Sequence, residues 1–350
     1  MSIAPVGYHT RKVKSIHNSI MLGMNTGANA LQFFICAPMN SYPPEPLSEA
    51  EAAKINQIKR EEGLYTVVHG KYMYNFCRDK DWQVKSLAAE MRVGNQIGSD
   101  VVIHQGKNVA ELKLNKVEAL KAFAKNVSVV LKETSECKNR ILLENSCQQG
   151  NECGFTLDEL AEIYSLFSSA DQKRIGFCID LCHIFVAGSL DVRDPVAVQD
   201  FFKEFEEKIG LKKLKLIHFN DSNMRFDAHN DNHNDLLVGY IGNTEIGGNS
   251  AGFKTLSKIA AEHEIPMVLE TPGKTEMADQ ILLIRSWIAD MDEIESDYIT
   301  KYSEQRLAIK EKSKSKARQS VVSKQKEKPL VKPLASPKIT ITPLKIKKNS

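Results

Sequence analysis

Six consecutive apolar runs in this sequence each finish on a histidine or a carboxylate: YTVVH on His69, DVVIH on His104, RILLE on Glu144, GFCID on Asp180, KLKLIH on His218 and PMVLE on Glu270. A short buried run of Val, Ile and Leu offers no local partner to an imidazole or a carboxylate, so each end requires a donor, a cation or water. One such end is an ordinary satisfied polar group. Six in succession constrain the fold, because all of them must find partners. Two further runs, ending near His9 and Phe34, bring the number to eight. The stretches between them fit a loop, a helix and a return loop, the βα unit of a parallel sheet. Asn115 to Glu133 places Val117, Leu120, Phe123, Val127 and Val130 on one face, and Thr156 with Glu159 forms a capping box ahead of Leu160, Ile163 and Phe167. Thr275 opens another helix with Met277, Ile281, Ile284 and Ile288 inward. Eight such units in about 290 residues imply an α/β chain folded as a (β/α)8 TIM barrel. A doubly wound open sheet is the alternative, but neither GxGxxG nor a Walker loop follows any run.

Closing a barrel brings its strand ends to one C-terminal mouth, where active sites of this fold lie. Imidazoles and carboxylates gathered there resist burial without a cation, since like-charged carboxylates repel and lose hydration together. A metal centre is the expectation. His183, three positions after Asp180, adds a donor. The insertion 221–242 contains DAHNDNHND, which offers two Asp-x-His pairs, Asp227 with His229 and Asp231 with His233, and spacing does not choose between them. All candidate donors are N or O, which suits Zn²⁺ in catalytic geometry with Mn²⁺ or Fe²⁺ tolerated. The six strand-end residues, His183 and one pair suffice for two or three ions with open positions, an arrangement typical of phosphoester hydrolysis. Cys178, inside its strand, and Cys182 are read as core.

Charge divides the chain. From Lys301 onward fifteen Lys and Arg face only Glu304, Glu311 and Glu327, so this end carries +12 of a net +3 and the rest −9. Poor in aromatics and rich in Lys, Ser, Pro and Gln, it cannot bury enough apolar surface to offset its ordering entropy. The expected organisation is a catalytic barrel over 1–295 and a disordered basic tail over 296–350. No apolar run reaches the roughly 18 residues that would span a bilayer, so no membrane partner is expected. The N-terminus lacks the apolar core of a signal peptide, and seven scattered cysteines fit a reducing compartment, so residence in the cytosol or nucleus is expected.

LLENSCQQG (142–150), GFCIDLCHIFVAG (176–188) and HFND (218–221) resemble the signature blocks of the endonuclease IV family of apurinic/apyrimidinic endonucleases, AP endonuclease family 2. VVHGKY, VVIHQGK and VLET match in order as well. The resemblance implies three Zn²⁺ at the barrel mouth, with Mn²⁺ as a substitute. His69, His104 and Glu144 would hold the first ion, and Glu144, as the bridging catalytic carboxylate, would share the second with Asp180, His218 and Glu270. His183, Asp231 and His233 would hold the third, which selects Asp231 and His233 over the other pair. The implied reaction is hydrolysis of the phosphodiester 5′ to an abasic site in double-stranded DNA, by a hydroxide held on the metals. It leaves a 3′-hydroxyl and a 5′-deoxyribose phosphate, with 3′-end cleaning as a second activity and a monomer as the working form.

Two departures from the family stand out. Tyr72 in HGKY matches a residue that the family wedges into DNA, but CAPMNSYPP (36–44) lacks the basic sequence usual after strand two, which leaves Met39 and Tyr42 as DNA-contacting candidates. Leu237-Val238-Gly239 stands where the family has Gly-Glu-Gly. The basic tail lies outside the family core and is expected to add non-specific DNA contacts. The rival readings are a xylose-isomerase-like sugar isomerase or epimerase, which needs no third ion, and a non-catalytic zinc-containing DNA-binding protein.

Overall fold

The computed structural model describes residues 4–11 and 13–311. Eight parallel strands close a barrel: β1 Val6–His9, β2 Ala30–Phe33, β3 Tyr65–His69, β4 Asp100–His104, β5 Ile141–Glu144, β6 Ile175–Asp180, β7 Leu214–His218 and, after a two-stranded ribbon of β8 Asp221–Ser222 and β9 His233–Asn234, β10 Met267–Leu269. The order around the barrel is β1-β10-β7-β6-β5-β4-β3-β2. The last strand therefore pairs with the first, Val6 opposite Met267. This is the expected TIM barrel.

Side-chain alternation along these strands builds two cores. One face packs on the helices, as with Leu31, Val68, Val101, Leu143, Phe177 and Ile217. The other fills the barrel interior with Ala30, Val67, Val102, Leu142, Cys178, Leu216 and Val268, one from each of seven strands. On the eighth strand, Gly7 stands at a point of close backbone approach. A Cβ there would lie 1.7 Å from the Ala30 carbonyl oxygen. Gly7→Ala should therefore destabilise the barrel by about 1–3 kcal/mol, read as a lowered denaturant midpoint at unchanged slope.

The helix Lys116–Glu133 begins at a capping box, but that box is Asn115 with Glu118, and Val117 in its first turn is 47% exposed rather than inward. At Thr156 only half of the expected box forms. Its hydroxyl accepts the Glu159 amide at 3.2 Å, whereas the Glu159 carboxylate turns to the Gly154 amide at 2.9 Å and to Lys116. The helix expected from Thr275 spans Met277–Ile288, with Glu276 at the N-cap position and no side-chain cap hydrogen bond there.

The domain boundary at 295 needs correction. A helix spans Asp292–Lys301, helical structure resumes over 303–311, and Tyr298, Tyr302, Arg306 and Ile309 are buried. The compact unit extends to Ile309. Averaging over a Lys- and Gln-rich window hides four buried positions at helical spacing. The rest of the expected tail, 312–350, lies outside the described residues. Among the described residues no helix is long and apolar enough to cross a membrane.

Candidate metal centre at the barrel mouth

Successive inward positions on a strand are two residues apart, so one step up from the barrel-filling layer names the next layer. Val67, Val102, Leu142, Cys178, Leu216 and Val268 lead to His69, His104, Glu144, Asp180, His218 and Glu270. Register sets two pairs level, His104 opposite Glu144 and Asp180 opposite His218, the latter after an irregularity at Phe177/Cys178. His69 stands opposite Val102 and Glu144 opposite Cys178, the two-residue stagger between neighbouring strands. The donor atoms of His69, His104 and Glu144 lie within 4.8 Å of one another, as do those of Glu144, Asp180, His218 and Glu270. Glu144 belongs to both groups, and its two oxygens divide between them. Oε2 faces the Nε2 atoms of His69 and His104, each at 3.7 Å, while Oε1 lies 3.0 Å from His218 Nδ1.

Hydrogen bonds on the far sides of the rings decide which nitrogen each histidine presents. His69 donates from Nδ1 to the Gly70 carbonyl (2.7 Å) and His183 from Nδ1 to the Asn145 carbonyl (3.0 Å), so both turn Nε2 to the mouth. His218 is reversed. Its Nε2 donates to Gln32 Oε1 at 2.9 Å, leaving Nδ1 to face Glu144 and Glu270. Gln32 is oriented in turn by donating to Glu270 Oε1 at 2.6 Å.

The helix Leu181–Val186 after β6 and the ribbon β8–β9 with the residues just before β9 supply the third group. His183, Asp231 and His233 also bring donor atoms within 4.8 Å, with His233 Nε2 3.1 Å from Asp231 and 3.6 Å from Asp180. Asp227 and His229 pair with each other at 3.2 Å, largely exposed, and join no such cluster among the described residues. Cys182 also comes within 4.8 Å of Asp180 and His233, and burial pushes its thiol well above the usual range.

The donor set fits divalent metal. Glu144 Oε2, His183 Nε2 and His233 Nε2 are buried side-chain atoms without a hydrogen-bond partner, and all three point into these clusters. Burial opposes charge on Glu144 and Glu270, yet the surrounding imidazoles hold both carboxyls well below the ordinary range. Reciprocally, burial would lower His233, but Asp180 and Asp231 raise it to about 9. Anionic carboxylates in this space attract positive charge, as protons on the imidazoles or as metal ions.

Tyr72 forms one wall, half-exposed, with its ring 5.2 Å from those of His69 and Phe34. Met39 and Tyr42 are exposed on the loop after β2, which buried Lys71 fixes by donating to the Asn40 carbonyl at 3.1 Å and to the Tyr42 carbonyl. Sequence reasoning missed the buried amides that orient the donors. Gln32 is one. Asn145 accepts the Asp180 amide at 2.7 Å, and Asn220 donates to Asp180 Oδ2 at 2.6 Å while accepting the Glu270 amide at 2.7 Å. Both asparagines lie just past the strand-end residues inside LLEN and HFND, and the two-residue step from Ala30 would have named Gln32.

Over residues 24–291 the sequence matches the family described as xylose isomerase-like TIM barrel. It is 34% identical over 279 residues to a putative endonuclease 4 of Acanthamoeba polyphaga mimivirus, covering 76% of this chain and 85% of that one. Against apurinic-apyrimidinic endonuclease 1 of Saccharomyces cerevisiae the identity is 31%, covering 83% and 77%. The crystal structure of endonuclease IV from Thermus thermophilus superposes with a TM-score of 0.67 at 24% identity, over 82% of this chain and 99% of the other. A D-tagatose 3-epimerase-like protein superposes at 0.58 with 16% identity, over 82% and 98%, and shares the fold alone.

Proposed function

We propose that this chain, which belongs to the endonuclease IV family of apurinic/apyrimidinic endonucleases, hydrolyses the phosphodiester 5′ to an abasic site in duplex DNA and leaves a 3′-hydroxyl and a 5′-deoxyribose phosphate. Membership makes it a nuclease and a hydrolase of DNA repair. The observation that carries the finer reading is Glu144, whose two oxygens face two separate donor groups from a fully buried position. We assign His69, His104 and Glu144 to one zinc, Glu144, Asp180, His218 and Glu270 to a second, and His183, Asp231 and His233 to a third. Zinc held there would supply Lewis acidity toward water and toward the phosphate oxygens. The chain's own work is positional. Gln32, Asn145 and Asn220 lock the donors before substrate arrives, which lowers the reorganisation needed during reaction. Tyr72 offers a ring face beside the mouth for a sugar or base, and Met39 and Tyr42 are placed on the rim for contact with the duplex. By the same chemistry the centre would clean blocked 3′ ends, and the Lys-rich end would add salt-sensitive affinity for any duplex.

A sugar epimerase shares the barrel, but the group of His183, Asp231 and His233 is surplus to a site for one or two ions. Elemental analysis of the purified full chain should find two to three transition-metal ions. One or fewer after zinc loading overturns the assignment. Incision of an abasic duplex, with no turnover of aldose or ketose panels, is the expected activity, and the converse result selects the epimerase.

A further inference from the structure

The loop between β7 and the following helix is held from two sides. From within, Asp221, fully buried at the start of the ribbon, accepts amide hydrogens from Ser222 at 2.7 Å, Ile241 at 2.9 Å, Gly242 at 3.1 Å and Gly239 at 3.2 Å. From without, Arg306 reaches the same segment. It is 3% exposed, donates through Nη1 to the Leu237 carbonyl and through Nη2 to Thr244 Oγ1 at 3.0 Å, and its own carbonyl accepts from Asn243 Nδ2 at 3.0 Å. Leu237 lies at φ +60°, a left-handed conformation that a residue with a bulky side chain adopts only where its surroundings enforce it. The guanidinium is one such restraint, since it binds the carbonyl that this conformation presents. Arg306 also lies beyond residue 291, where the match to the family ends.

We infer that Arg306 is a positioning residue for Asp231 and His233, acting through the segment 237–244. The linkage is short. Tyr240 donates its amide to the Ser222 carbonyl at 2.6 Å, and Ser222 is the ribbon partner of His233. The next residue, Asn223, donates its amide to the Asn232 carbonyl at 2.8 Å, between the two donors. On the other side Asp235 accepts the amides of Gly273 at 3.0 Å and Thr275 at 2.5 Å, and the Thr275 hydroxyl bonds Tyr298 at 2.9 Å. The C-terminal helical segment thus braces two loops of the mouth, the one after β7 through Arg306 and the one after β10 through Tyr298. Loss of the guanidinium leaves the buried Leu237 carbonyl unpaired and removes a restraint on the left-handed turn.

The ligand role of Asp231 and His233 rests on the metal assignment above, so the test reads the brace and the metal separately. Arg306→Met and Arg306→Lys are made in the full chain. In metal-free protein, amide exchange at Gly239, Ile241 and Gly242 should quicken by at least about tenfold in the Met variant, with barrel-strand amides unchanged and partial recovery in the Lys variant. In zinc-loaded protein dialysed against a weak chelator, the Met variant should retain one ion fewer per chain than the parent. Unchanged exchange at these three amides, or equal loss of protection across the barrel, overturns the positioning role. So does quickened exchange with a parental zinc count. A parent that holds one ion or fewer defeats the metal assignment instead, whatever the exchange shows.

Discussion

Glu144→Gln should lower incision of an abasic duplex by on the order of 10³-fold or more, about 4 kcal/mol of barrier. Volume is conserved at a fully buried position, so the barrel should still fold with an unchanged far-ultraviolet spectrum. What changes is charge. One amide nitrogen would face either the His69 and His104 pair or His218, and no longer offer a lone pair there. The neutral amide also removes the anion that offsets the charge of cations in either group. Zinc content should fall together with rate. Activity within tenfold of the parent, a difference of only about 1.4 kcal/mol, would show that the carboxylate does not bridge.

His233→Ala should cost on the order of 10²-fold or more in the same assay, whereas His229→Ala should stay within about threefold of the parent. The two residues sit in one short, repetitive loop, yet their surroundings differ. His233 turns Nε2 toward Asp231 and Asp180 and lies opposite Ser222 in the ribbon. The His229 side chain faces solvent, while its amide is tied to the Val186 carbonyl at 2.8 Å. Asp227 and His229 both adopt left-handed backbone conformations, at φ +61° and +48°. Steady-state rates on one abasic oligonucleotide decide the ranking. A greater loss at His229 would shift the third donor group to the other pair.

The barrel was legible because its polar ends are also its strand ends. Each of the runs closing on His69, His104, Glu144, Asp180 and His218 is short, apolar and terminated by the residue that the barrel interior places at the mouth, so one pattern reported both fold and donors. Gln32 escaped for the converse reason. The strand was read to Phe34, past the inward position two residues after Ala30, and that reading passed over the amide that bonds His218 across the barrel. The DAHNDNHND repeat left two pairs equivalent by spacing, and only the ribbon and the left-handed turns distinguish them in space. The C-terminal brace was missed because basic composition outweighed four buried positions at helical intervals. Charge counting describes what a segment shows to solvent, not which side it packs.

Closure of the barrel by its last strand has a consequence for the making of the protein. β1 waits beside an open edge until β10 emerges and pairs with both β1 and β7. Glu270, the last of the nine candidate donors, comes out of the ribosome with that strand, and Arg306 follows later still. During vectorial synthesis the nascent chain can collect His69, His104, Glu144, Asp180 and His218 on an incomplete sheet, but it cannot complete the donor layer. A polypeptide released before β10 by a premature stop therefore leaves the ribosome with an open sheet edge and without a finished nuclease, whereas in the full chain the long-range pairing of β1 with β10 makes closure slow.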